Sequence, residues 1–355
     1  MGGAVLFVTW SGGGNVNPVL ALSQRLVRRG HTVRVLGSAD LVPRFAAIGV
    51  ECLPRDPARE WDQGATAEDV VAEIGRVATD AVVVDYMQPG ALCGAEAAGV
   101  PTAALVHTLY AGMRVDGDFP TMYMAANVEG INDGRDQLGL APVTRLGDLL
   151  DHSARVLVSS PKRLDAGSGA LPDNVRYVGP LYEERPASAP VVDDQPDIVV
   201  SLGTTEMGEG PLLQRVLDAC GPLPVKVLAT VGDHLDPASF TAPANARVAR
   251  YVPHASVLPG ARLLIGHAGL GGVLAALGAG VAVLCLPLGR DQPANAAAVE
   301  RVGAGRALAP DASTDELQKA ITELLDAPVT DLRPDIAAYG DAGVEEVESM
   351  FVGKG

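Results

Sequence analysis

Short apolar runs alternate with amphipathic stretches along most of the chain, and glycine or proline marks nearly every change. In the first half the runs at 4–10 (AVLFVTW), 32–37, 81–85, 102–107, 155–160 and 176–181 read as buried strands. Helical spacing appears from about Pro18, with Asn17 as N-cap and a stop at Gly30, and again at 42–48, 67–78 and 91–98. A loop rich in charge and proline fills 54–64, and periodicity weakens over 110–149. In the second half the expected strands are 197–202, 225–230, 263–265 and 281–286. Helices are expected at 270–279, from Pro293 onward with Asn295, at 314–325 and at 335–351. Strand and helix alternating in this way predict parallel, doubly wound α/β sheets. The stretch 183–196, EERPASAPVVDDQP, has proline and acid without apolar periodicity, as a linker does. The expected division is therefore a domain over 1–182, the linker 183–196, a domain over 197–334 and a terminal segment 335–355.

Composition narrows the functional classes. The 355 residues are 48% hydrophobic and 20% charged, enough for two cores, and with 4% aromatics those cores rest on Ala, Val and Leu. A net charge of −16 disfavours nucleic acid and anionic membranes as partners, and no run is suited to cross a bilayer or serve as a signal peptide. Cys52, Cys93, Cys220 and Cys285 lack metal or redox spacing and fit a reducing cytoplasm. No metal-ligand set and no cofactor fingerprint emerges. The β-α-β opening has Gly12-x-Gly14-x-x-Asn17, without the third glycine of a dinucleotide fold, and its second strand ends at Gly37-Ser38, with Asp40 too late to serve as the ribose acid.

The most informative chemistry lies at 262–297. An apolar strand ends at Gly266-His267-Ala268-Gly269, and a helix rich in Gly, Ala and Leu follows. Glycines there let backbone amides approach an anion that the positive helix end favours. A second strand leads through Gly289-Arg290-Asp291-Gln292-Pro293 into another helix. Parallel pairing of the two strands would bring His267 and Asp291-Gln292 to neighbouring carboxyl ends, where open α/β sheets bind ligands.

The order H-x-G-x-G, apolar strand, L-P-x-G-x-D-Q-x-x-N-A resembles the nucleotide-sugar signature of the family 1 glycosyltransferases of GT-B fold, especially the bacterial enzymes that decorate antibiotics. The resemblance implies two Rossmann-like doubly wound domains with a cleft between them. It also implies a nucleoside-diphosphate sugar as co-substrate. By position, His267, Gly269, Gly271 and Gly272 would meet the donor diphosphate, and Asp291 and Gln292 the sugar hydroxyls. Thr204 and Thr205 would offer further phosphate contacts, and Val252, within Tyr251-Val252-Pro253, would meet the nucleobase. Gly14 in the first turn and Phe119, Met122 and Tyr123 would line the pocket of a small aromatic or polyketide-like acceptor, in a monomer or homodimer. The family usually has Thr or Ser where Gly272 stands, and plant relatives place a ribose-binding Glu where Ala275 stands. The latter difference leans toward a TDP-sugar over a UDP-sugar.

In this family the acceptor is deprotonated by the histidine of G-H-x-x-P after the first strand. Asn15 occupies that position here, in Gly14-Asn15-Val16-Asn17-Pro18, and an amide cannot take up the proton. The base is then sought at His107, Asp85, Asp116 or Asp118, or the acceptor is acidic enough, or a ring carbon or nitrogen, to need little help. Two rivals remain at this level: a non-hydrolysing nucleotide-sugar epimerase, and a non-catalytic sugar-nucleotide-binding accessory protein.

Overall fold

The structure, a computed structural model, describes residues 2–112, 127–165, 170–182, 195–203 and 207–351. The chain separates into two compact units, Met1–Glu184 with Tyr339–Gly355, and Arg185–Ala338. Each is built on one wholly parallel sheet with helices connecting the strands.

Unit 1 contains β1 (Ala4–Val8), β2 (Thr32–Gly37), β3 (Glu51–Pro54), β4 (Ala81–Asp85), β5 (Thr102–Val106), β6 (Arg155–Val158) and β7 (Val175–Tyr177). Their spatial order is β3-β2-β1-β4-β5-β6-β7. The central strands are apolar on both faces because helices cover both faces. Phe7 sits in register with Val35 on one side and Val83 on the other, and all three are buried with Leu22 and Leu26 of the first helix. After Tyr339 the chain adds a short helix, Ala342–Glu348, whose Val344 and Val347 join this core. Gly343 allows that approach, since a Cβ there would lie 3.3 Å from the Leu181 side chain.

Unit 2 contains β8 (Ile198–Ser201), β9 (Val227–Thr230), β10 (Ala246–Ala249), β11 (Leu263–Gly266), β12 (Ala282–Cys285) and β13 (Gly305–Ala307), in the order β10-β9-β8-β11-β12-β13. Val200, Ile265 and Leu284 lie side by side at its centre and are completely buried. In both sheets the strand order reverses next to the first strand, at β1/β4 and at β8/β11. The carboxyl ends at such a reversal open a crevice.

Several expectations change. The first helix spans Val16–Arg28, so Asn17 lies inside it and Pro18 is its third residue, where an amide hydrogen would have no intrahelical partner anyway. Edge strand β3 and the helix Gly210–Cys220 were not anticipated, although Leu212, Leu213, Val216 and Leu217 repeat at helical spacing. The expected final helix is two pieces, Arg333–Ala337 and Ala342–Glu348, separated at a Gly340 with φ +46°. Of the expected linker, 183–194 lie outside the described residues. All four cysteines are free thiols, and among the described residues no helix is long and apolar enough to cross a membrane.

Candidate active site

At the reversal in unit 1, the ends of β1, β4 and β5 converge on one buried carboxylate. Asp85, the last residue of β4, is 1% exposed. Its Oδ2 accepts a hydrogen bond from Asn15 Nδ2 at 2.8 Å, and its Oδ1 lies 3.0 Å from His107 Nε2. The Met87 amide donates to Oδ1 as well, so the buried charge is held by three donors when His107 carries its proton on Nε2. That tautomer puts the basic lone pair of the imidazole on Nδ1. The ring of His107 stands edge-on to the fully buried Tyr86, with centroids 5.0 Å apart, and the Tyr86 hydroxyl is 3.1 Å from the Thr108 hydroxyl.

Asn15 is itself buried, at the N-cap position of the first helix, but its side chain does not cap that helix. Its Oδ1 accepts from the Gly12 amide, and its Nδ2 donates to the Trp10 carbonyl in addition to Asp85. Asn15 thus shapes the turn and orients the carboxylate without supplying a base. Gly14 beside it is exposed, with nothing within 4 Å of where a Cβ would stand.

At the reversal in unit 2 the groups are of another kind. His267 follows β11, with its imidazole seated between two glycines: a Cβ on Gly269 would lie 2.5 Å from Nε2, and one on Gly203 would lie 3.3 Å from Cε1. Burial pushes the His267 pKa below 6.5, with the Ser201 carbonyl and the Asp291 carboxylate opposing the shift. The ring is therefore neutral near pH 7 and offers one N–H. His254 lies close by and is driven the same way by burial and by His267.

Gly269 caps the helix Leu270–Ala279, whose first amides have no intrahelical acceptors and whose first turn carries no acid. A Cβ on Gly271 would meet nothing within 4 Å, and one on Gly272 only His254 at 3.9 Å, so the space over this helix start is open. A hydroxyl-bearing side chain would fit at Gly272; glycine leaves backbone amides alone to serve there.

The loop after β12 carries Asp291 at the N-cap position of the helix Gln292–Arg301. Gln292 is buried, with Oε1 accepting from the amides of Leu288 and Gly289 and Nε2 facing Met207 Sδ at 3.4 Å, so its carbonyl closes its own loop. Asn295, fully buried, donates to both the Ala268 carbonyl and Asp291 Oδ2, tying the His267 turn to the Asp291 loop. This positioning role was not singled out from the sequence, although the Asp291 to Asn295 spacing is that of neighbours on a helix face. Ala268 and Arg290 have φ of 63° and 57°, and among the described residues they alone, glycine aside, have positive φ. Such strain concentrates at ligand sites, and both examples fall here.

Val252, half-buried, follows β10 beside Tyr251, which is 69% exposed. The structure thus brings Asn15, Asp85 and His107 together in unit 1, and Gly203, His267, Gly269 and Asp291-Gln292 at adjacent strand ends in unit 2. Thr204, Thr205, Asp116, Asp118, Phe119, Met122 and Tyr123 lie outside the described residues.

Residues 214–335 match the family described as erythromycin biosynthesis protein CIII-like, C-terminal domain. A zeaxanthin glucosyltransferase of Pseudescherichia vulneris is 30% identical over 285 residues, covering 73% of this chain and 69% of the relative. The 4'-demethylrebeccamycin synthase of Lentzea aerocolonigenes is 26% identical over 98% of this chain and 99% of its own. In fold, the chain superposes on CalG4, the calicheamicin glycosyltransferase, with a TM-score of 0.80 at 23% identity, covering 99% and 98% of the two chains. With a glucosyltransferase 30% identical over most of both lengths, and a fold that superposes over nearly the whole chain, the chain belongs to the family 1 glycosyltransferases of GT-B fold, alongside bacterial enzymes of natural-product biosynthesis.

Proposed function

We propose that the protein is an inverting, metal-independent glycosyltransferase that moves a sugar from a TDP- or UDP-linked donor to a small aromatic or polyketide-like acceptor. Unit 2 holds the donor, and unit 1 holds the acceptor and the base. The observation that carries this reading is the bridging carboxylate of Asp85, bonded at once to Asn15, where the family keeps its base, and to His107 one strand away. The basic group is displaced to β5 while the carboxylate that orients it is shared.

In the reaction, His107 Nδ1 takes the acceptor proton as the acceptor atom bonds to the anomeric carbon. The bond from that carbon to the diphosphate oxygen breaks, and its electron pair leaves with the nucleoside diphosphate. Asp85 holds His107 in the required tautomer and stabilises the imidazolium that forms. Neutral His267 and the amides at the start of Leu270–Ala279 stabilise the leaving group in place of a cation. Ala275 leaves out an acid for a ribose hydroxyl, which favours the TDP-sugar of the two.

The test is to incubate the protein with TDP-glucose or UDP-glucose, with and without a panel of phenols, in the presence of EDTA. Nucleoside-diphosphate release and anomeric configuration are followed by NMR. The reading expects acceptor-dependent release, a β-linked product from the α-linked donor and no effect of the chelator. An α-linked product would overturn inversion, epimerised donor without acceptor would make the protein an epimerase, and neither activity with intact nucleotide binding would make it an accessory protein.

A further inference from the structure

The two tryptophans of this chain stand together beside Asn15. Trp10 follows β1 and passes its carbonyl to Asn15 Nδ2, while its ring lies over Gly12, where a Cβ would come within 2.4 Å of the indole. Trp61 comes from the loop before the helix Gln63–Arg76 and meets Trp10 edge to face, with centroids 4.7 Å apart and planes at 70°. Trp61 is nevertheless 47% exposed. A loop free to move would bury such a ring to remove apolar area from water. This loop is not free.

Arg55, whose side chain is 1% exposed, donates to the carbonyls of Arg59 and Glu60, to Thr66 Oγ1 and to Gln88 Oε1, and pairs with Asp69. Asp62 caps the following helix, and Gln63 Nε2 donates to the Trp61 carbonyl. From the other side Ser38 bonds Glu60 and accepts from the Ser11 amide, which ties the loop to the turn that carries Asn15. Burial of an arginine with several bonds to one short loop is a costly way to hold a ring half out of water, and it pre-sets the ring for a ligand at small entropic cost. The Trp10 Nε1 hydrogen is also buried without a partner among the described residues.

We propose that Trp10 and Trp61 form an aromatic corner on which a flat, fused-ring acceptor stacks, making these residues the specificity determinants for acceptor shape. The inference rests on unit 1 being the acceptor site and narrows the acceptor to planar aromatics. One face of an edge-to-face pair is occupied by the partner ring, and a planar ligand on Trp61 completes the stack. A saturated fused-ring system cannot approach the indole face as closely and gains only area burial.

The chain is suited to the test, because its intrinsic tryptophan fluorescence comes from this corner alone. A hydroxyanthraquinone is titrated into the protein, and decahydronaphthol, fully saturated, is titrated by calorimetry. The wild type should bind the anthraquinone with quenching. Trp61→Ala, read by the remaining Trp10, should raise its Kd roughly tenfold or more, and Trp61→Phe should restore most of the affinity. Decahydronaphthol, which gains only area burial on Trp61, should lose several-fold less affinity than the anthraquinone in Trp61→Ala. Nucleoside-diphosphate affinity is measured on every variant and should not move.

Equal anthraquinone affinity in wild type and Trp61→Ala, with diphosphate binding intact, would overturn the corner and leave the donor reading standing. Absence of diphosphate binding would instead count against the transferase reading itself. A change of sedimentation in Trp61→Ala without a change in aromatic binding would make the corner a contact between copies and overturn the proposal.

Discussion

The two strand-order reversals of this molecule share a backbone plan and differ in what stands on it. In unit 1 the strand ends present ionisable side chains wired to each other, with buried Asp85 holding both Asn15 and His107. In unit 2 they present glycines, helix amides and an imidazole kept neutral by burial. The first arrangement can accept a proton, because a buried carboxylate stabilises a new imidazolium. The second can hold an anion on a protein of net charge −16, because dipoles fixed by the backbone attract phosphate and the Arg290 charge is felt at His267. The same crevice geometry thus carries different chemistry according to whether side chains or backbone groups line it.

The comparison breaks most sharply at His107. His107→Ala should lower turnover by roughly 10²–10⁴-fold, the range for a general base, and remove the limb of the pH–rate profile on which the base must be unprotonated. Calorimetry should find nucleoside-diphosphate affinity unchanged. Retention of that limb would send the search for the base to Asp116 or Asp118.

The converse holds in unit 2. His267→Ala should weaken nucleoside-diphosphate binding by roughly 1.5–3 kcal/mol, as for a hydrogen bond to a charged group, with kcat/KM falling in step and the pH limb intact. Unchanged affinity in calorimetry would remove His267 from the site.

Asn15 tests whether the shared carboxylate is the pivot. Asn15→Ala removes one of the donors to Asp85 but no base, so turnover should drop by less than the roughly 10²–10⁴-fold expected of a lost base, and the pH limb should remain. Complete loss of activity with fold and donor binding intact would make Asn15 an essential catalytic group.

The smallest effect expected is a difference in acid sensitivity. His254 and His267 have folded pKa values depressed below 6.5, so between those values and 6.5 the unfolded chain binds protons that folded unit 2 does not. Stability of unit 2 then falls as pH drops below 6.5. In unit 1 the lowered carboxylates Glu73, held by Arg76 and Arg34 against the cost of burial, and Glu96, held by Arg135, have the usual acid sign. Their contribution is complete above 4.5 and is lost as pH falls through the lower folded values. Hydrogen exchange on a pH series should show unit 2 loosening first, and His254→Gln with His267→Gln should abolish the difference.

Much of this molecule follows from local chemistry. Apolar runs of strand length and glycine stops predicted most strands, and a Gly/Ala/Leu-rich pattern the helix Leu270–Ala279, because parallel sheets bury both faces of each strand and so leave an uninterrupted apolar record. The glycine-rich turn at His267 is legible for a related reason. His267 and Gly269 stand two positions apart in the chain, although Gly203, on the other side of the imidazole, comes from the end of β8.

What the sequence could not decide was which distant residues meet. Edge strand β3 is only half-buried and carries little pattern, and nothing near Asn15 in the chain shows that Asp85, 70 positions away, is bonded to it. Asn15, Asp85 and His107 become neighbours only because β4 inserts between β1 and β5 in the sheet, and strand order is a long-range choice that no local window encodes. The positive φ of Ala268 and Arg290, and the buried Arg55 that holds Trp61 half in water, are likewise fixed by packing around them. Propensity alone favours neither. Local pattern thus determined most elements and the glycine-rich turn at His267, while tertiary structure decided that Asn15, Asp85 and His107 meet, because burial and charge pairing exist only once the strands are side by side.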